Sequence, residues 1–154
     1  MKIISGGQTG VDRAALDFAL RNHLPCGGWC PKGRLAEDGP ISEEYPLQET
    51  ASTVYAERTR MNVEDSDGTL ILYQDELSGG TKYTAEYAAA KEKPLLQIDI
   101  GKDTIAFRSI SVWIEANHIK ALNIAGPRET ACHGIYDKAF DFLEKLFGKG
   151  KQAY

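Results

Sequence analysis

The sequence predicts an α/β fold: a doubly wound, mainly parallel sheet of about five strands with helices on both faces. Three observations carry this. Short apolar runs alternate with helical stripes along the chain. The runs are continuously apolar, as in strands buried on both faces. Glycine-rich or polar turns follow the strands and open the next helices. The chain has 154 residues, the size of one domain with a useful core. No linker or internal repeat divides it, so residues 1–154 are read as a single domain.

Residues 2–5 form the first strand, and a glycine-rich turn, Ser5-Gly-Gly-Gln-Thr-Gly-Val-Asp-Arg13, follows it. Asp12 to Asn22 is helical: Val11, Ala15, Phe18 and Ala19 recur at helical spacing, and Leu16 and Leu20 widen the stripe. Pro25 to Cys30 is a short second strand interrupted by glycine. Pro31 to Pro46 is a loop rich in Gly, Pro and charge, long enough to suggest a function. Residues 52–63 are helical. Thr69-Leu-Ile-Leu-Tyr73, after Asp67-Gly68, is a buried parallel strand. A second glycine turn, Ser78-Gly-Gly-Thr81, precedes a helix from Lys82 to Lys91. Pro94 to Ile100 is the fourth strand. Residues 104–117 are a helix carrying Ile105, Ile110, Val112, Trp113 and Ile114. Lys120 to Ala125 is the fifth strand and ends at Gly126-Pro127-Arg128-Glu129. The last helix, 130–147, carries Ile135, Ala139, Phe142, Leu143 and Leu146, and 149–154 reads as a frayed tail.

Charge and composition narrow the function. A net charge of −4 argues against a bulk electrostatic grip on nucleic acid or an anionic membrane. Neither an N-terminal secretory h-region nor an apolar run of about 18 residues is present. Three cysteines are not a disulfide framework, and reduced thiols in the cytoplasm are the simple reading. Cys26 and Cys30 with Cys132-His133 do not form a zinc pattern, so no intrinsic metal site is expected.

The first glycine turn is the most informative stretch. Gly6, Gly7 and Gly10 let backbone approach a ligand, and the helix that follows aims free N–H groups and its positive dipole end at an anion. The Gly-Gly-x-x-Gly spacing is neither the dinucleotide fingerprint nor the P-loop. A phosphorylated ligand is expected, of unnamed type. Sheets of this kind bind ligands beyond the carboxyl ends of their strands. The turns at 6–10 and 79–80, the Trp29-Cys30-Pro31 segment and the Gly126-Pro127-Arg128 corner should therefore meet at one edge.

Several side chains have two readings. Asp12 is a helix N-terminal charge or a partner for a ribose or pterin donor; Arg13 is a surface cation or a phosphate ligand. Thr9, Ser78 and Thr81 are caps or phosphate donors. Arg58, Arg60 and Glu86 are either a solvated helix face or a catalytic set. In the second case Arg58 holds phosphate and Glu86 stabilises an oxocarbenium ion or steers water. Trp29 and Tyr45 offer faces for a flat ring, whereas Trp113 reads as core. His23 and His118 lie near helix ends.

Ser5-Gly-Gly-Gln-Thr-Gly-Val-Asp-Arg-Ala-Ala-Leu16, Gly27-Gly-Trp-Cys-Pro31, Arg58-Thr59 with Asn62, Ser66-Asp67-Gly-Thr-Leu-Ile-Leu72, Gly79-Gly-Thr81 with Thr84, and Ala125-Gly-Pro-Arg-Glu129 together resemble the molybdenum-cofactor carrier family. The resemblance covers nearly the whole chain and implies a Rossmann-like fold. That family is similar to the phosphoribohydrolases often labelled lysine decarboxylases, and to the wider SLOG nucleotide-sensing domains. The resemblance implies a binding or carrier protein whose cargo is molybdenum cofactor, or a related nucleotide. It places phosphate or ligand contacts at Gly6, Gly7, Thr9, Gly10, Asp12, Arg13, Ser78, Gly79, Gly80, Thr81, Thr84, Gly126 and Arg128. It also implies a cytoplasmic homo-oligomer and a molybdoenzyme as acceptor. The alternatives are N-glycosidic cleavage of a nucleoside 5'-monophosphate by Arg58 and Glu86, and a nucleotide-sensing module. The hydrolases carry P-G-G-x-G-T-x-x-E. Here Gly79, Gly80 and Glu86 match, but Ser78, Lys82 and Tyr83 stand in place of the proline, the third glycine and the threonine. Those changes alter the phosphate cradle and weigh against hydrolysis more than against binding.

Overall fold

The computed structural model describes residues 1–148, and the tail expected at 149–154 lies outside the described residues. The elements run β1 (Lys2–Ile4), α1 (Val11–Arg21), β2 (Cys26–Gly27), β3 (Trp29–Cys30), β4 (Leu35–Ala36), β5 (Gly39–Pro40) and β6 (Gln48–Glu49). They continue with α2 (Tyr55–Glu64), β7 (Gly68–Tyr73), α3 (Gly79–Ala90), β8 (Leu95–Asp99), α4 (Phe107–Ala116), β9 (Ala121–Ala125) and α5 (Ile135–Phe147). Five strands form one parallel sheet in the order β2-β1-β9-β7-β8.

Counted among the five sheet strands alone, that order is 2-1-5-3-4. Taking the last strand as the first turns it into 3-2-1-4-5, the order of a doubly wound nucleotide-binding sheet. The chain therefore begins one βα unit into that pattern and supplies the missing central strand at its end. Register confirms how tightly β9 is inserted: Ile3 pairs with Leu122 on one side, and Leu70 with Ile124 on the other.

Strand alternation divides the sheet into two unlike faces. Ile3, Leu70, Leu72, Leu122 and Ile124 face α1, α4 and α5 and form the main core with Val11, Phe18, Ile110, Ile135 and Leu143. Each such buried side chain contributes roughly 1.5–3 kcal/mol of transfer free energy. Phe107 of α4 and Phe142 of α5 touch with ring centroids 5.2 Å apart. The opposite face is more polar. Thr69 and Asn123 are buried there and bonded to each other at 3.3 Å, under α2 and α3, which pack together. Lys93 Nζ closes the end of α2 by donating to the carbonyls of Val63, Glu64 and Ser66.

The structure revises several expectations. The expected second strand splits: Cys26–Gly27 joins the main sheet, whereas Trp29–Cys30 pairs with Gln48–Glu49. The glycine at position 28 makes the break, because its backbone crosses Ser5 at a distance that leaves no room for a side chain. Leu20 and Val112 are exposed rather than core. The last helix starts at Ile135, not 130, and α3 starts at Gly79, so the second glycine turn is that helix's own first turn.

The charged loop after Cys30 is ordered by one arginine. Arg34 donates to the carbonyls of Ile41, Ser42, Tyr45 and Leu47. This gathers Ile41, Tyr45 and Leu47 onto Leu16 and Cys30 as a second, smaller core. Tyr45 then donates to Asp17 at 2.6 Å and Tyr136 does so at 2.5 Å, tying the loop to α1 and α5.

Candidate functional site

The chain leaves β9 toward α5 on one face of the sheet and leaves the adjacent β7 toward α3 on the other. A crevice opens at such a switch point. Here it is a cavity of about 430 Å³ between α2, α3 and the loops that follow β1 and β9.

Its floor is an ion pair. Asp12, at the start of α1, and Arg58, one turn into α2, meet at 2.9 Å, with 6% and 13% of their side chains exposed. Asp12 also accepts from the Gln8 N–H at 3.3 Å. Burial pushes the Asp12 carboxyl above its ordinary value, against the opposing pull of Arg58. Arg58 Nε is buried with no hydrogen-bond partner among the described residues. An unpaired buried donor of this kind costs free energy.

One wall is the first turn of α3. Ser78, Gly79, Gly80, Thr81 and Thr84 line the cavity. No side chain caps this helix, and a β-carbon at Gly79 or Gly80 would meet nothing within 4 Å. The first turn of α3, with its positive dipole end, therefore borders the cavity, where an anion is favoured. Gly126 and Arg128, from the loop after β9, close the other side. Tyr55 of α2 and Tyr83 of α3 also line the space. Arg60 fixes Tyr83 by donating to its hydroxyl at 3.0 Å.

The first glycine turn is placed differently from expectation. Of its residues, Gln8 and Asp12 line the main cavity, and Gly6 lies beneath Arg58, where a β-carbon would fall 1.6 Å from Nη1. Gly7 (φ +77°) faces Leu47 and Ile41 of the smaller core, and Gly10 (φ +78°) lets the carbonyl of Pro127 pass at what would be 2.2 Å from a β-carbon. Both glycines serve close packing and a left-handed backbone. Arg13 is committed to protein: it donates twice to Asp38 and twice to the carbonyl of Gly7. Thr9 donates to Glu37 and accepts from the Glu129 N–H.

The structure does not bring Glu86 to Arg58. Glu86 is 64% exposed, 3.9 Å from Lys82, and does not line the cavity. Of the aromatics read as ring platforms, Trp29 donates to Asp65 beside a separate cavity and Tyr45 is buried against Asp17. Sequence reasoning missed Gln8, Tyr55, Thr59 and Tyr83. Tyr55, Arg58 and Thr59 stand at i, i+3 and i+4, one helix face, and this spacing was the available signal. Among the described residues no group of three His, Cys, Asp or Glu is placed to hold a metal. The three cysteines are free, and burial pushes the thiols of Cys26 and Cys30 up. No helix among the described residues is long and apolar enough to cross a membrane.

Residues 3–147 match the family described as "Circularly permutated YpsA SLOG family". The chain belongs to that family. The permutation is visible in this SLOG chain as the last strand, β9, standing where the first would be. A solved structure from Syntrophus aciditrophicus, named "Putative molybdenum carrier protein", is similar at 49% identity and a TM-score of 0.88, covering 95% of this chain and 94% of that one. No curated protein matches.

Proposed function

We propose that this SLOG protein binds a phosphorylated heterocycle in the switch-point cavity, as a carrier rather than as a catalyst, with molybdenum cofactor as the foremost cargo. One observation carries the reading. The uncapped first turn of α3 and the Arg58 guanidinium share a cavity also lined by two tyrosines. An oxyanion satisfies the first two, and a flat ring suits the tyrosines. The similar protein from Syntrophus aciditrophicus, by its name, supports the choice of cargo. Titration calorimetry with molybdenum cofactor and with AMP tests the reading. Saturable binding of at least one, weakened at least tenfold by Arg58→Ala, is expected. Absence of binding to both overturns it.

Hydrolysis of a nucleoside monophosphate is the second reading, favoured by Arg58 in the cavity. The carboxylate within reach is then Asp12, not Glu86.

A further inference from the structure

The hairpin formed by β4 and β5 reaches across the loops after β1 and β9 and delivers one carboxylate there. Glu37 accepts from the hydroxyl of Thr9, from the hydroxyl of Thr130 at 2.5 Å and from the Thr130 N–H at 3.2 Å. Arg128 Nε lies 3.7 Å away, and only 15% of the Glu37 side chain is exposed. Burial raises this carboxyl, but the donors outweigh it and hold the group below its ordinary value. Two hydroxyls, a backbone N–H and a guanidinium converging on one point make a phosphate's donor set rather than a lone surface contact.

The location has its own logic. With β9 read as the first strand, the loop carrying Arg128 and Thr130 is the one in which doubly wound sheets hold phosphate. Arg128 is also shared with the cavity it helps to line. The hairpin is slight, two residues to a strand. It is tied down by the donors on Glu37, by Arg13 on Asp38 and by the Glu37 N–H on Gln8.

We propose that Thr9, Thr130 and Arg128 form an oxyanion subsite for a phosphoryl group, and that the Glu37 carboxylate is a built-in stand-in which the phosphoryl group displaces. The proposal rests on reading the adjoining cavity as the site of a phosphorylated ligand. A ligand's phosphoryl group then competes with Glu37 for Arg128, and entry of ligand releases the hairpin.

The test is titration with inorganic phosphate, followed by backbone amide resonances, on wild type, Glu37→Ala and Glu37→Gln. The glutamine keeps an acceptor for the threonines and holds the hairpin, while removing the competing charge. Phosphate is expected to bind Glu37→Ala at least tenfold more tightly than wild type and Glu37→Gln at least threefold more tightly, with Thr9 and Thr130 shifting most. Should Glu37→Ala fail to fold, Glu37→Gln alone decides. Unchanged phosphate affinity in Glu37→Gln, or shifts that omit Thr9 and Thr130, overturns the proposal. A parallel AMP titration separates the two claims. AMP binding with no gain on removing Glu37 sinks the subsite alone, whereas a phosphate gain with binding of neither AMP nor molybdenum cofactor sinks the cavity reading.

Discussion

Arg58 donates to Asp12 across 46 positions of sequence, at 2.9 Å, on the floor of the cavity. The two charges are placed where neither would be tolerated alone. Removing one partner of a buried pair costs roughly 3–5 kcal/mol because the other is left unpaired. The two truncations should differ in their pH response. In Arg58→Ala the stranded Asp12 can take up a proton, and burial already raises its pKa. The folded state then binds more protons than the unfolded state, so the loss of stability shrinks as pH falls from 7.5 to 5. In Asp12→Ala the stranded arginine cannot shed its charge, so the loss stays. Urea denaturation at both pH values measures this.

Gly80 and Gly7 should separate binding from stability. A β-carbon at Gly80 meets open space, and alanine is better than glycine inside a helix by about 0.8–1 kcal/mol. Gly80→Ala should melt at or slightly above wild type while AMP binding weakens. A β-carbon at Gly7 lands 2.5 Å from Leu47 and 3.0 Å from Ile41, at a φ of +77°. Overpacking of about 1–3 kcal/mol plus about 1–2 kcal/mol for the left-handed backbone is expected in Gly7→Val. By the usual scaling that is a fall of roughly 4–20 °C in melting temperature. The melt and the titration, run side by side, check both.

Glu86→Gln should change neither AMP affinity nor any release of base from AMP. The residue pairs with Lys82 at the surface, and an exposed pair contributes little. A turnover lowered tenfold in this variant would restore Glu86 to the chemistry.

Asp67 accepts from the N–H groups of Ala121 and Lys120, which pull its carboxyl below the usual 3.8. A depressed folded-state value means the unfolded state binds more protons below about pH 4. The stability from Asp67 is therefore present above 3.8 and lost as pH falls through the folded value. Asp67→Asn should cost on the order of 1 kcal/mol at pH 7, discounted for exposure. The gap should narrow as pH falls below 3.8, measured by denaturation across that range.

The α/β alternation, the parallel strands and the gathering of glycine turns at one sheet edge were legible because each rests on a local period or a local breaker. Continuous apolar runs such as Leu70-Ile-Leu72 need no partner to be recognised as buried strands. The buried stripe of α3, Thr81, Thr84, Ala85 and Ala88, which turns Glu86 away, emerged only in the structure. What the sequence could not show was which distant segments would meet. Glycines at 7 and 10 look alike in sequence, and only the tertiary structure shows Ile41, Leu47 and Pro127 packed against them. Arg58 found Asp12, and Glu37 found Thr9 and Thr130, because the chain inserts its last strand between β1 and β7. Strand order is set by burial of both sheet faces at once, a property of the whole chain. No window of neighbouring residues contains it.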